Sequence, residues 1–108
     1  MYTQTMDRRE RLRSFRRHRT DMYRRFVTYA AHRGSQSADR YYAHLTRLSN
    51  TAGGVAHRKD AGPVGLQQIN VAEVLICLHL QNGMQLGLPY KQIYQNCKAA
   101  VAPTRRKE

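Results

Sequence analysis

The chain has no tryptophan, two cysteines, three prolines and only seven acidic residues among 108. Each shortage excludes something. Cys77 and Cys97 lie in apolar stretches without CxxC spacing, so they read as reduced, core-packed thiols and not as the disulfide framework of a secreted domain. The five histidines, His18, His32, His44, His57 and His79, never fall in HxxxH or HExxH spacing, and neither cysteine has a ligand-type neighbour; no metal site and no cofactor are expected. Gly53, Gly54, Gly62 and Gly65 read as turn glycines, because the GxxxxGK[ST] phosphate-loop pattern is missing. The longest strongly apolar run, Val74 to Leu80, is broken by His79 and falls far short of the ~20 residues a bilayer requires, so no membrane partner is expected. No apolar segment follows the N-terminal charges, and no secretory signal is read there.

What the chain has in excess is positive charge. Nineteen Lys and Arg against seven Asp and Glu give a formal charge of +12, which repels itself in a compact fold unless an anionic partner compensates. A length of 108 residues suits one domain, spanning 1–108. Its 41% hydrophobic content makes for a modest core, to which a homodimer would be a natural complement.

Helical periodicity runs through the chain, and neither strand alternation nor an internal repeat is found. Leu12, Phe15, Met22, Phe26 and Tyr29 share one side of a first helix, expected over 7–33 with Gly34 as its stop. At ~100° per residue, Arg9, Arg13, Arg16, Arg17 and Arg24 fall on the opposite side, while Arg8, Arg11 and Arg19 lie nearer the apolar one. The N-terminal half of this helix is expected either to project beyond the core or to dock only when a partner is present. Ser35 and Ser37 are N-cap candidates for a second helix carrying Ala38, Tyr41, Tyr42, Leu45 and Leu48. The loop that follows has a basic tip, His57-Arg58-Lys59-Asp60. From Leu66 to Asn82 the pattern is apolar around more than half of the circumference, the mark of a central buried helix. After Gly83 and Gly87, Pro89 opens a fourth helix with Tyr90, Ile93, Tyr94, Cys97 and Val101 on its stripe. The fold class expected is therefore all-α, a bundle of about four helices with a long Arg-rich amphipathic first helix, a helical module over 35–102 and flexible ends at 1–6 and 103–108.

The chemistry-bearing groups divide into few constellations. The first helix, with Arg58 and Lys59 as secondary contacts, is the strongest, because arginine makes bidentate bonds to phosphates and carboxylates and keeps its charge on burial. Its arginines suit the grooves of nucleic acid, the acidic clefts of a host protein, or a solvated surface that Asp7, Glu10 and Asp21 offset only in part. Neither cysteine is flanked by residues that would expose an attacking thiolate. Glu73, the best acidic candidate, is expected to pair structurally with Arg47 or Lys91. No catalytic residue is assigned and no small-molecule substrate is expected. Tyr41, Tyr42, Tyr90 and Tyr94 at helical spacing read as core before they read as a base-stacking platform, with one of each pair buried.

The order and spacing of Tyr41-Tyr42-Ala43-His44-Leu45-Thr46-Arg47-Leu48-Ser49-Asn50, Arg58-Lys59-Asp60, Leu66-Gln67-Gln68-Ile69-Asn70-Val71-Ala72-Glu73, Gly83-Met84 and Tyr90-Lys91-Gln92-Ile93-Tyr94-Gln95 resemble the helical C-terminal module of phage regulatory proteins of the Rha and antirepressor type. The resemblance covers roughly 39–101. It implies a protein-contacting accessory module of phage regulation, acting in the cytoplasm of a bacterial host. An Arg-rich helix stands where those proteins carry a winged-helix or KilA-type domain. The expectation is a non-catalytic, phage- or prophage-encoded regulatory or host-factor-inhibiting binding protein, whose partner is nucleic acid or an acidic, nucleic-acid-binding host protein. An anti-CRISPR or other anti-defence inhibitor, and an assembly protein that neutralises nucleic acid, fit the same features.

Overall fold

The computed structural model describes residues 8–104, and of Arg8, Arg9, Leu12 and Thr104 it describes the backbone alone. The expected helix start at Asp7 and the expected flexible ends, apart from Pro103 and Thr104, lie outside the described residues. Four helices follow one another as α1 (Arg8–His32), α2 (Tyr41–Ala52), α3 (Pro63–Leu86) and α4 (Tyr90–Val101), with 3-10 turns at Ala38–Arg40, Arg58–Asp60 and Ala102–Thr104. There is no strand among the described residues, and the all-α architecture expected from periodicity is the one observed.

Three of the helices end in the same way. Gly34, Gly54 and Gly87 adopt positive φ of 94°, 77° and 70°, which L side chains resist and glycine does not. The amide after each glycine then reaches back to a last-turn carbonyl, Ser35 to Ala30, Val55 to Asn50 and Leu88 to Gly83, satisfying oxygens the helix would otherwise leave unpaired. Helix starts are less regular. Neither expected serine caps α2: Ser35 belongs to the α1 stop, and Ser37 precedes the 3-10 turn without a side-chain cap bond. α3 starts three residues earlier than its apolar pattern, because Pro63 in its first turn is pre-set for helix.

The molecule measures 47 × 44 × 20 Å, about two helix diameters thick. α3 touches all three other helices and supplies Ile69, Ala72, Ile76, Cys77 and Leu80 to a core completed by Met22, Tyr23 and Phe26 of α1, Leu45 and Ala52 of α2, and Ile93, Cys97 and Val101 of α4. The three partners cover only one side of α3. Val64, Val71, Val74 and Leu78 on its outer side are 45–57% exposed, so the apolar girth that reads as burial in the sequence is half a solvent face. By length and composition α3 also meets the requirement for a membrane-crossing helix, over a window 39% buried within the bundle.

The tyrosines pack differently from expectation, since Tyr41, Tyr42, Tyr90 and Tyr94 are all half-buried. Tyr41 is a hub, meeting Phe26 at 5.2 Å and Tyr94 at 5.3 Å edge to face. Such pairs contribute ~0.5–1.5 kcal/mol each beyond area burial. The Tyr29 hydroxyl donates to the Leu88 carbonyl at 2.6 Å, fastening the end of α1 to the α3–α4 turn.

The α2–α3 corner is a close approach in which backbone meets backbone. A Cβ added to Gly53 would lie 2.6 Å from Cγ1 of Ile69 and 2.7 Å from the Gly65 carbonyl oxygen. Gly53→Ala is expected to cost about 1–3 kcal/mol, the range for overpacking, as a lowered urea midpoint. Gly62→Ala, where nothing lies within 4 Å, should leave the midpoint nearly unchanged.

Candidate functional site

Nine arginines lie between Arg8 and Arg25, against Glu10 and Asp21. Helix geometry divides them. Met22, Tyr23, Phe26 and Ala30 turn α1 toward the core, which leaves Arg13, Arg17 and Arg24 pointing within about 40° of one another on the far side at ~100° per residue. All three are exposed, as are Arg16 and Arg25 at the edges of the face. Along the axis Arg13 and Arg24 stand ~16 Å apart, a length over which duplex DNA carries roughly ten phosphate charges. Glu10, Arg11, Arg13, Ser14, Arg16, Arg17 and His18 are exposed, so the first turns of α1 reach past the core, as their charge suggests. The Arg9 side chain, expected in the same set, lies outside the described residues. Arg13, Arg16, Arg17, Arg24 and Arg25 form no ion pair with another described residue.

The inward arginine has a different task. Arg19 Nη1 donates to Glu73 Oε2 at 2.5 Å, and Arg58 Nη1 donates to the same oxygen at 3.0 Å while its Nη2 donates to Asn70 Oδ1 at 2.7 Å. Glu73 is only 3% exposed, and its partners 22% and 30%. A buried carboxylate would be costly alone; two guanidinium groups offset that cost. Burial by itself would lower the Arg19 pKa, but the charge of Glu73 and its hydrogen bond outweigh this and raise it. The Tyr23 hydroxyl beside this cluster is driven well above the usual phenol range, by burial first and by the Glu73 charge second.

These contacts revise two expectations. Glu73 pairs with Arg19 and Arg58, not with Arg47 or Lys91, because the 57–60 turn folds back over the first half of α3. Arg58 is thereby engaged within the fold, and of the two secondary contacts expected at the loop tip only Lys59 stands exposed. The signal for Arg19 was present in its angular position. That for Arg58 was not, since nothing in the sequence sets the path of the loop.

Two other places carry reactive or charged groups. Arg47 and Lys98 stand over Leu48 and Val101 at a shallow cleft of about 200 Å³ between α2 and α4, smaller than the ~300–1,000 Å³ usual for a ligand pocket. Cys77 and Cys97 are buried, and desolvation pushes their thiols up to about 11 and about 12, which shrinks the thiolate fraction that a nucleophile or metal ligand needs. Among the described residues no three of His, Cys, Asp and Glu converge as a metal-binding group. Compared with known proteins, the chain matches no family model, no curated protein and no solved structure.

Removing the carboxylate in Glu73→Gln leaves two guanidinium groups facing each other and is expected to cost about 3 kcal/mol, the lower end for a broken buried pair because both arginines reach solvent. Arg19→Met should cost less, since Arg58 stays on the carboxylate; urea denaturation of the two variants gives the order. For the thiols the sign follows from a raised folded pKa. Their contribution is full below the unfolded value near 9.0 and is lost as pH rises toward about 11 for Cys77. Stability measured from pH 8 to 11 should therefore fall over this window, and less so in Cys77→Ala. At pH 8 neither thiol should react with a disulfide reagent until the protein is unfolded.

Proposed function

We propose that the chain is a non-catalytic binding protein that engages nucleic acid through the arginine face of α1, in the phage or prophage regulatory setting that the resemblance of its 39–101 region implies. The observation that supports this reading is the segregation of charge. Arg13, Arg16, Arg17, Arg24 and Arg25 are exposed together on a helix that reaches past the core, while the arginines that the fold requires, Arg19 and Arg58, are held on Glu73.

Composition of the face favours phosphate over a protein cleft. Protein interfaces are anchored at their centre by well-packed, desolvated tryptophan, tyrosine and arginine side chains. Around Arg13, Arg17 and Arg24 the described exposed non-arginine neighbours include Glu10, Ser14, Asp21, Thr28 and Ala31, none of them a large aromatic anchor. Arginines without an apolar centre neutralise a regularly charged backbone, which positions a protein on a duplex without reading its sequence. Lys59 adds an isolated contact. Arg9 belongs to the set by its position in the helix.

Binding of the purified protein to generic duplex DNA and to RNA over a salt series tests the reading. The affinity should fall steeply with salt, and replacing Arg9, Arg13, Arg16, Arg17 and Arg24 together by Gln should lower the slope by about 4–5 units on DNA, at ~0.9 per phosphate neutralised. Lys59→Gln should change it by about one unit or less. Wild-type protein that ignores both polymers near physiological salt would sink the proposal and assign the arginines to an acidic protein partner, as for an inhibitor of a host defence complex.

A further inference from the structure

The outer side of α3 carries an apolar stripe without charge. Val64, Val71, Val74 and Leu78 are exposed by 57%, 50%, 45% and 52%, and their spacings of 7, 3 and 4 residues are those of a coiled-coil seam. Gln67 falls in the same register, and half-buried Leu75 flanks it. The ionisable side chains of α3 are Glu73 and Cys77, both buried, and His79, which projects about 90° away from the centre of the stripe. Every other helix presents exposed cations: α1 its arginine face, α2 Arg47, α4 Lys91 and Lys98.

We propose that this face is the interface of a homodimer, in which α3 packs antiparallel against α3 of a second copy. Charge selects the occupant. Two molecules of formal charge +12 repel each other on approach, and the α3 face is the helix surface on which no cation meets another. A self-complementary stripe is also what a two-fold interface requires, because the same patch must serve both subunits. A two-fold axis between Val74 and Leu75 sets Val71 against Leu78 and Gln67 against Asn82, apolar to apolar and amide to amide. The antiparallel direction follows from the turn before α3. Lys59 and His57 stand exposed there, and parallel pairing would bring the two basic turns together, whereas antiparallel pairing holds them apart by a helix length of ~36 Å.

The size of the face sets the strength. Over ~36 Å of helix and ~10 Å of width such a contact buries on the order of 1,000 Å² in total, at the lower edge of specific interfaces. The dimer should therefore be reversible, with a Kd in the micromolar range.

Sedimentation equilibrium of the full chain, free of nucleic acid and at ~0.5 M salt to screen repulsion, tests this independently of any polyanion binding. Wild-type protein should pass from monomer to dimer across ~1–200 µM. Val71→Lys and Leu78→Glu, both at exposed positions, should each be monomeric throughout with unchanged helicity and urea midpoint. Mixed in equal amounts they should associate again, because the antiparallel register sets the new lysine of one chain against the new glutamate of the other. A wild type that stays monomeric at 200 µM, or that dimerises equally well with Val71→Lys, overturns the interface; a mixture that stays monomeric overturns the antiparallel register. Monomeric protein that binds neutral phosphatidylcholine vesicles through this face, with loss in Val71→Lys, overturns the dimer in favour of a lipid surface.

Discussion

The Glu73 carboxylate is where the fold and its surface are decided together. It lies in the middle of α3, 3% exposed, and is held by Arg19 from α1 and Arg58 from the turn before α3. Three distant stretches of chain thus converge on one charge. The pairing is also rotational. With Arg19 committed inward, Arg13, Arg17 and Arg24 must project on the far side of α1, since ~140° separates them from Arg19 on the helix. Hydrophobic packing of Met22, Tyr23 and Phe26 would orient the C-terminal half of α1 without help. Arg19 carries the same orientation one turn further, toward the part of the helix that has left the core.

Hydrophobic contacts dominate elsewhere, and they are concentrated on one side of α3. Ile76 and Leu80 are inaccessible to solvent and cluster with side chains from all three other helices, Ile69 is equally buried at the α2–α3 corner, and the Tyr41 cluster closes the space between α1, α2 and α4 through edge-to-face contacts. The Gly53 and Gly65 backbones meet at the α2–α3 corner because neither bears a side chain. Close packing there, and the glycine stops on α1, α2 and α3, fix the directions in which the helices leave their turns. None of this requires the arginines at 13, 16, 17, 24 and 25, whose side chains are free of the core and therefore available for function.

Periodicity made much of this legible in the sequence. The helices, the glycine stops at Gly34 and Gly87, the burial of Met22 and Phe26 and the inward lean of Arg19 follow from residue spacing, a local property of the helix; Tyr23 and Ala30, equally buried, lie outside the expected stripe of α1. What spacing does not encode is the partner across space. Arg47 and Lys91 sit on the neighbouring helices of the sequence and carry the expected charge, but the actual second partner of Glu73, Arg58, arrives by the path of an irregular turn. The girth of α3 misled for a related reason. An apolar residue reads the same whether a helix of its own chain covers it or nothing does, and only the placement of three partners on one side shows that Val71, Val74 and Leu78 are left outside. The expectation of one buried tyrosine in each pair fails because each ring is large enough to bury its body and still reach solvent with its edge.

The two surfaces left over are opposite in character, and the uses proposed for them would be physically linked. A charge of +12 opposes any close approach of two copies, and anions bound along α1 would remove much of that opposition. Association through α3, if it doubles the number of arginine faces on one particle, would in turn favour a long polyanion over separate small ions, because the second face then binds at high effective concentration. Were both proposals to hold, linkage would make the two effects one coupling free energy viewed from either side: whatever nucleic acid contributed to the dimer, the dimer would contribute equally to the hold on nucleic acid. Concentrating the cations on α1 while keeping the outside of α3 free of charge is the arrangement that allows this coupling; arginines spread evenly over both faces would weaken the dimer without adding to a continuous contact.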